Sequence, residues 1–271
     1  MKKIFFTIFV CTFLSCEELI NLNLDTQQKE IVVDAAIDWE KGTAGNVQKI
    51  KLFYTSDYYS DQESEKIDSA NVQVTTDTET FSFVETSKGE YVCDNFTPTL
   101  NKDYHLSITH NGKNFTSQGT ILEAPNSSDI HISQMENGGF LGNEIMLQID
   151  FTTDPTQENN FVVRIKASGD KQERYFAIDD KYYTAGKFLF FIRGKDEKFK
   201  KDDTVEITLY RVTKEYRQIF HLLSNISLEN AAPFVFPARV YGNVVNTQNP
   251  KENPLGAFRV AQYSSITYTI K

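Results

Sequence analysis

The sequence predicts an all-β protein: an N-terminal Ig-like or transthyretin-like β-sandwich, then a second β-rich domain that carries one short amphipathic helix. Short runs alternate apolar and polar residues, as in 70–74 (ANVQV) and 204–210 (TVEITLY). Such alternation places every second side chain on one face of a sheet. Turn signals separate these runs at the regular spacing expected of a sandwich. One late segment, from Thr213 onwards, has helical spacing instead.

The N-terminus has the pattern of a secretory signal peptide. Lys2 and Lys3 precede an apolar run over residues 4–14. As a helix this run is about 16 Å long, too short for a hydrocarbon core of about 30 Å. Ser15 then stands directly before Cys16, which resembles a bacterial lipobox, where the cysteine is acylated and becomes the first mature residue. The alternative is an ordinary secreted protein with an incidental cysteine.

Residues 1–15 are therefore predicted to be removed, and residues 16–29 to form a tether that begins at the lipid-bearing Cys16. Acyl chains contribute about 0.8 kcal/mol per buried CH₂, and stable anchoring takes more than one chain. Glu17 and Glu18 follow at once. In Bacteroidota lipoproteins, acidic residues at this place resemble a signal for display on the outer face of the outer membrane. The alternative is a solvated tether with two chance carboxylates.

Charge and cysteine content restrict the function classes. Cleavage before Cys16 would leave 256 of the 271 residues, and the loss of two lysines would change the formal charge from −9 to −11. So acidic a protein is not expected to bind nucleic acid through its overall field. Besides Cys16, only Cys93 would remain, which excludes an intramolecular disulfide. The strand-like surroundings of Cys93 predict a buried apolar role rather than a catalytic thiol.

Residues 30–123 are predicted to form the first sandwich. Strands are expected within 30–39, 47–54, 70–74, 81–84, 91–93, 104–110 and 113–117. The Asn-Gly pair between the last two predicts a type I′ hairpin turn, because both positions then need φ > 0. The polar stretch 57–68 is predicted to be an exposed loop. Tyr58 and Tyr59 within it are candidate partner-contact residues, since loop tyrosines provide rigid amphipathic contact area.

Residues 124–128 (APNSS) are predicted to be a linker, and residues 129–271 to form the second β-rich domain. Strands are expected within 144–151, 160–167, 182–193, 204–210, 257–261 and 265–270. Apolar residues at 216, 219, 220 and 223 follow the spacing of one helix face. Thr213 is a candidate N-cap, so the predicted helix lies near 213–224.

No constellation in the sequence predicts catalysis or a bound metal. The histidines, His105, His110, His131 and His221, lack metal-site spacing such as HxxxH. There is no nucleophile elbow, phosphate-binding loop or dinucleotide fingerprint. Acidic pairs at 179–180 and 202–203 lie at predicted turns, where aspartates usually bond nearby backbone amides. We therefore predict a non-enzyme with no metal and no cofactor other than the covalent lipid on Cys16.

Two short sequons are candidate modification sites. Residues 68–70 (DSA) and 203–205 (DTV) resemble the Asp-Ser/Thr-apolar signal for O-glycosylation in Bacteroidota. Ser69 and Thr204 are therefore candidate acceptors. A three-residue match also arises by chance, and the alternative is an unmodified hydroxyl at each position.

The order of these features resembles a family. An early apolar strand follows the lipid cysteine and its acidic neighbours. The later motifs are, in chain order, an A-x-V-x-V strand at 70–74, a G-x-Y turn at 89–91, a short helix that contains Glu215-Tyr216, a P-x-x-V-Y-G-N stretch at 237–243 and an L-G-x-F stretch at 255–258. This order is similar to the Bacteroidota lipoproteins of domain-of-unknown-function family 4249. The Asn-rich stretch 243–253 departs from members, which have a shorter glycine-rich link. The resemblance implies an outer-membrane lipoprotein found beside TonB-dependent transporters.

The expected function is that of a surface-exposed outer-membrane lipoprotein, a non-enzymatic accessory that captures or caps a ligand for a TonB-dependent transporter. One alternative is a structural or adhesive cell-surface lipoprotein without a transporter partner. Another is an enzyme, such as a hydrolase that uses scattered carboxylates. That alternative would require a cleft with two carboxyl groups about 5–10 Å apart.

Overall fold

The computed structural model describes residues 29–56, 63–183, 186–226 and 241–271. The predicted signal peptide, the tether up to residue 28, and the candidate residues Cys16, Glu17, Glu18, Tyr58 and Tyr59 lie outside these ranges. The described residues form fifteen strands and one α-helix. This confirms the predicted all-β class, with sandwich-like β units and a single short helix.

The strands follow the predicted order, with three additions. The first unit contains β1 (Ile31–Glu40), β2 (Gln48–Tyr54), β3 (Asn71–Thr75), β4 (Thr80–Ser87), β5 (Glu90–Cys93), β6 (Asp103–His110) and β7 (Lys113–Thr120). The second unit follows, with β8 (His131–Gly138), β9 (Glu144–Thr152), β10 (Asn160–Ala167), β11 (Arg174–Asp179), β12 (Lys187–Arg193), β13 (Thr204–Arg211) and helix α1 (Lys214–Ile226). The last two strands of the chain are β14 (Val245–Asn246), which joins the first unit, and β15 (Leu255–Thr269). Strands β8, β11 and β14 were not predicted, and the two strands predicted within 257–261 and 265–270 form one continuous strand, β15.

The first core lies between two layers that β4 connects. The N-terminal half of β4 pairs with β3 and its C-terminal half with β5. From β3 the layer continues through β6, β7 and β14, and from β5 through β2 to β1. Alternate residues such as Val33, Ile50 and Ile108 are fully buried between them. Asn111 and Gly112 have φ values of +48° and +74°, which confirms the predicted hairpin turn.

The second core lies between a three-stranded sheet, β12-β9-β8, and the strands β10, β13 and β15 of the large sheet. Its centre is aromatic. The rings of Phe151 and Phe188 stack at 4.9 Å, and Phe161 meets both edge-on at 5.2 and 5.3 Å. Helix α1 packs outside this core, and Thr213 Oγ1 accepts a hydrogen bond from Tyr216 N at 3.3 Å. The predicted N-cap is therefore confirmed.

Strand β15 belongs to both units. Its first part pairs in parallel with β1, and residues 262–269 pair antiparallel with β13. Val244, Phe258 and Val260 are buried in the first core, whereas Ile270 is buried in the second. Part of the predicted second domain thus completes the first core, and the predicted division at 124–128 does not separate the two cores.

The predicted linker is fastened to β15. Ala124 N donates to Gln262 Oε1 at 3.0 Å, and Ser264 Oγ donates to the Pro125 carbonyl at 2.5 Å. Lys41 Nζ also donates to the Ala124 carbonyl at 2.7 Å. Because these bonds fix the chain where β15 passes from one unit to the other, they help to hold the two units together.

Candidate functional site

A cleft of about 450 Å³ opens at the end of the first unit where β1 begins. Four parts of the chain form it: residues 29–31, Tyr54 at the end of β2, the β6–β7 turn with the start of β7, and residues 251–254. Residue 29 is the last residue of the predicted tether. The cleft therefore lies beside the point where a lipid anchor would join the body.

His110 is the titratable aromatic group of the cleft. Its Nε2 lies 2.9 Å from Asn111 Nδ2 and 3.4 Å from Tyr54 Oη. The amide N–H donates, so Nε2 accepts and the ring proton is on Nδ1. Burial lowers the pKa of His110, while the Asp68 carboxylate acts to raise it. At neutral pH this side chain is consequently an uncharged hydrogen-bonding group rather than a cation.

The charges around the cleft nearly balance. Three lysines and two glutamates line it. Lys113 Nζ lies 2.7 Å from Glu252 Oε2, and Lys29 Nζ lies 2.8 Å from Glu65 Oε2 just outside. The hydrogen bond and the charge of Lys113 lower the pKa of Glu252, which keeps that carboxylate ionised. Paired charges and an aromatic ring, that of Tyr54, favour a polar ligand of low net charge over a strongly charged one.

The Asn-rich stretch 243–253, whose residues 251–253 line the cleft, is held in place by side-chain amides. Asn246 Oδ1 accepts from the Gln248 backbone N–H at 3.0 Å. Gln248 Oε1 accepts from Asn114 N at 3.0 Å, and its Nε2 donates to the Gly112 carbonyl at 3.0 Å. The stretch is therefore fastened to the β6–β7 hairpin, and these amides satisfy backbone groups that a strand partner would otherwise satisfy.

Two sequence motifs near the C-terminus meet in space. Asn243 of the Y-G-N motif donates to the Phe258 carbonyl and accepts from the Phe258 N–H, both at 2.8 Å. Glycines permit this approach: a Cβ on Gly242 would lie 1.7 Å from the Gly256 carbonyl oxygen, and Gly256 itself has φ of +89°. The two motifs therefore dock the start of β15 beside β1, directly behind the cleft.

The two candidate glycosylation residues are exposed but lie in different units. Ser69, with φ of +58°, precedes β3, and Thr204 begins β13. The Ser69 backbone N–H donates to Glu85 Oε2 at 2.9 Å, and the Thr204 backbone N–H donates to Ser168 Oγ at 3.2 Å. Exposure is compatible with modification of either hydroxyl, and glycosylation stays a prediction.

Of the other predicted residues, the candidate partner-contact residues Tyr58 and Tyr59 lie outside the described residues. Cys93 is buried, and burial raises the pKa of its thiol, as expected for an apolar core residue. Within the described ranges, no three His, Cys, Asp or Glu side chains are grouped to hold a metal ion, and no helix is long and apolar enough to cross a membrane.

Sequence reasoning missed a largely buried ion pair near helix α1. Asp38 of β1 accepts two hydrogen bonds from Arg259 of β15, at 2.8 and 2.6 Å. The guanidinium lies 4.5 Å from the centre of the Tyr210 ring. Burial acts to lower the pKa of Arg259, yet the charge and hydrogen bonds of Asp38 raise it well above its ordinary value. The available signal was an aspartate within a predicted strand, but nothing local indicates its arginine partner, which lies 221 positions further along the chain.

The geometry defines a two-unit β protein with a shared C-terminal strand and a polar cleft beside its N-terminal end. The chain belongs to the family described as Domain of unknown function (DUF4249), which matches residues 17–267. Comparison with curated proteins gives no match.

Two similar solved structures are segments of chicken proteins. One is a segment of two fibronectin type III domains from chicken tenascin, at 10% identity and a TM-score of 0.24, covering 69% of this chain and 92% of that chain. Another is the FN1–FN3 segment of chicken CNTN1, at 12% identity and a TM-score of 0.26, covering 69% of this chain and 61% of that chain.

Proposed function

We propose that this protein is a lipid-anchored accessory on the outer face of the outer membrane that captures a polar ligand of low net charge for a TonB-dependent transporter. One observation carries the proposal: the cleft opens at residue 29, where the predicted tether joins the body. The lipobox-like Ser15-Cys16 and the acidic Glu17 and Glu18 support the anchoring and its direction.

The tether length sets where the cleft would work. Residues 17–28 can span at most about 40 Å when fully extended, at roughly 3.3–3.6 Å per residue. An acylated Cys16 would hold the cleft within that distance of the membrane surface. A transporter in the same membrane would then meet the cleft at high effective concentration, so that a small interface is enough for a functional complex.

The cleft offers three kinds of contact to such a ligand. Tyr54 presents an aromatic ring, His110 a neutral imidazole, and Lys251 a cation within a balanced set of charges. Aromatic rings with a few convergent polar groups are typical of sites for small polar ligands. Release to a transporter would not require the loss of a strong ion pair, because the lysines Lys29 and Lys113 are already paired.

The anchoring part of the proposal is tested by a pull-down of tagged protein from native outer membranes in mild detergent. We expect a stoichiometric β-barrel transporter with the wild type and its loss with Cys16→Ala. If the wild type is exposed to external protease but brings no barrel, the transporter partnership is refuted.

The capture part is tested by native mass spectrometry of protein purified from the same membranes. We expect a bound small molecule that is lost in Tyr54→Ala and in His110→Ala. The matched control is His105→Ala, because His105 is exposed on the same hairpin and does not line the cleft. A ligand retained equally in all variants would place capture elsewhere in the protein.

A second candidate function is cell-surface adhesion without a transporter. It is favoured by the β8–β9 hairpin tip, where Phe140 is 99% and Leu141 76% exposed. Large apolar side chains at such a tip are typical of contact surfaces. A pull-down that yields a partner from another cell, and no barrel, would favour this function.

A further inference from the structure

The three-stranded sheet of the second unit has two outer strands, β12 and β8, and each has one side with no described strand beside it. Strand β12 pairs with β9 on one side, and β12 is the last strand of the order β12-β9-β8. Alternate backbone N–H and C=O groups along its other side are therefore directed away from the sheet. Such a row of groups is a ready template for pairing with another strand.

β12 lacks most of the features that commonly protect such an edge, and its charged side chains lie only at its two ends. Its sequence, KFLFFIR, contains no proline, and all seven residues stay in register with β9. Its inward-facing side chains, Phe188, Phe190 and Ile192, are apolar and buried. Inward charges, prolines, bulges and short lengths are the usual means of preventing strand addition. A regular seven-residue edge without them remains able to accept a strand.

The outward face of β12 carries a symmetrical pattern of charge. Leu189 and Phe191 are 44% and 48% exposed, and they lie between Lys187 and Arg193 on the same face, because alternate residues of a strand share a face. Lys187 is exposed and forms no ion pair with another described residue. Arg193 lies 3.6 Å from Glu144, whose carboxylate is also 3.7 Å from Lys198. Arg193 and Lys198 therefore leave an excess of positive charge at one end, and Lys187 supplies a positive charge at the other, with Asp150 of β9 opposite Leu189 between them.

We propose that β12 is a docking edge for an extended segment of a partner protein, which adds as a fourth strand. The segment has acidic residues six positions apart, opposite Lys187 and Arg193, and alternating apolar residues between them, opposite Leu189 and Phe191. Main-chain hydrogen bonds supply much of the affinity of such strand addition, and the alternate side chains supply specificity.

A second copy of this chain fits the edge less well. Two β12 strands paired antiparallel about Phe190 would place Lys187 of each copy opposite Arg193 of the other. Like charges directly opposite one another destabilise a strand pair. An acidic-ended segment removes this repulsion and replaces it with two ion pairs.

The position of the edge favours a protein over the anchoring membrane. β15 begins beside the start of β1, and its 15 residues extend about 50 Å at roughly 3.3 Å per residue. Lys271, just beyond its end, donates its N–H to Gln134 Oε1 of β8 at 3.0 Å. The sheet that contains β12 is therefore far from residue 29, where the tether joins the body.

The test uses the full mature chain with Cys16→Ala and a fluorescein-labelled peptide, ETVTVTE. We expect hydrogen exchange of β12 amides to slow when the peptide binds, and fluorescence anisotropy to show about tenfold weaker binding of KTVTVTK. The peptide ETVPVTE, whose proline removes a ladder donor, should also bind more weakly. No β12 protection at millimolar ETVTVTE, or equal affinity for the acidic and basic peptides, would overturn the proposal.

Charge reversal on the protein provides the matched variants. Lys187→Glu/Arg193→Glu should bind KTVTVTK better than ETVTVTE, whereas Lys51→Glu/Lys166→Glu, which changes two exposed lysines of other strands, should keep the original preference. Unchanged unfolding midpoints show that the variants are folded. An unchanged preference in the β12 variant would overturn the proposal.

The proposal would also be overturned if a second copy of this chain, or a lipid surface, covers the β12 edge. Sedimentation equilibrium would reveal a dimer that Leu189→Lys dissociates, if a second copy covers the edge. Flotation with vesicles of phosphatidylethanolamine and phosphatidylglycerol would reveal binding by the unlipidated chain that Leu189→Lys removes, if a lipid surface covers it.

Discussion

Replacement of Asp38 by alanine would leave the guanidinium of Arg259 under helix α1 without its carboxylate. The pair is joined by two hydrogen bonds, at 2.8 and 2.6 Å, and the side chains of Arg259 and Asp38 are only 20% and 25% exposed. Removing one partner of a buried pair costs about 3–5 kcal/mol, because the other charge stays desolvated. The remaining exposure and the Tyr210 ring 4.5 Å from the guanidinium reduce that cost. We therefore expect Asp38→Ala to lower the free energy of unfolding by about 3 kcal/mol.

A double-mutant cycle separates the interaction from the two side chains. Arg259→Met removes the charge but keeps much of the side-chain volume, and the double variant Asp38→Ala/Arg259→Met contains neither charge. Since replacing a buried pair by apolar groups is often neutral, we expect the double variant to be more stable than Asp38→Ala alone. The coupling energy should be about 2 kcal/mol.

The assay is urea unfolding followed by circular dichroism and by fluorescence. Asp77→Ala is the matched control, because Asp77 also forms an ion pair, with Lys102 Nζ at 2.7 Å, but on the surface. Surface pairs contribute little, so this control should unfold close to the wild type. If Asp38→Ala unfolds at the same urea concentration as Asp77→Ala, the assignment of a stabilising buried pair is refuted.

Three further predictions concern other parts of the molecule. Asn243→Ala leaves the N–H and carbonyl of Phe258 without their 2.8 Å partners, and we expect a loss of about 1–3 kcal/mol in urea unfolding; a change no larger than that of Asn71→Ala, at an exposed position of β3, would contradict this. Burial and the neighbouring Glu173 raise the pKa of Tyr175 to about 12, above the value of about 10 in an unfolded chain. The resulting stabilisation is present below pH 10 and is lost as pH rises towards 12. Between these pH values Tyr175→Phe should therefore lose less unfolding free energy than the wild type. If the two proteins lose the same amount, the raised pKa of Tyr175 is contradicted. Phe140→Ser, at a 99% exposed position, should change unfolding by less than about 0.5 kcal/mol, whereas Phe115→Ala in the first core should cost about 3–5 kcal/mol; similar costs would contradict the exposure of the tip.

Elements specified by local pattern were predictable. Alternation located β6 and β13 because a strand with one buried face repeats every two residues. The apolar spacing after Thr213 located α1, and the Asn111-Gly112 pair located a turn, because each signal lies within a few adjacent residues. None of these depends on which distant segment lies next to the element.

Features built from distant segments were not predictable. The parallel pairing of Val33 with Gly256 joins residues more than 200 positions apart, and no local periodicity specifies such a partner. The cleft arises only when residues 251–254 approach the start of β1, so nothing in the sequence indicated that His110 lines a cleft. The Asn-rich stretch was recognised as a departure from the family, but its amide bonds to the β6–β7 hairpin depend on that same long-range docking.

The shared strand gives the proposed cleft and the β12 edge a defined relationship. Because β15 starts beside the cleft, where it pairs with β1, and ends near β8 of the three-stranded sheet that contains β12, the two surfaces lie towards opposite ends of this strand. A ligand in the cleft and a strand on β12 would therefore not collide. β15 is a direct structural connection between the two surfaces, and the Asp38–Arg259 pair joins its first part to β1. Breaking that pair should lower the free energy of unfolding of the whole protein. It should leave unchanged which ligand the cleft binds and which peptide β12 binds, because neither surface contains Asp38 or Arg259.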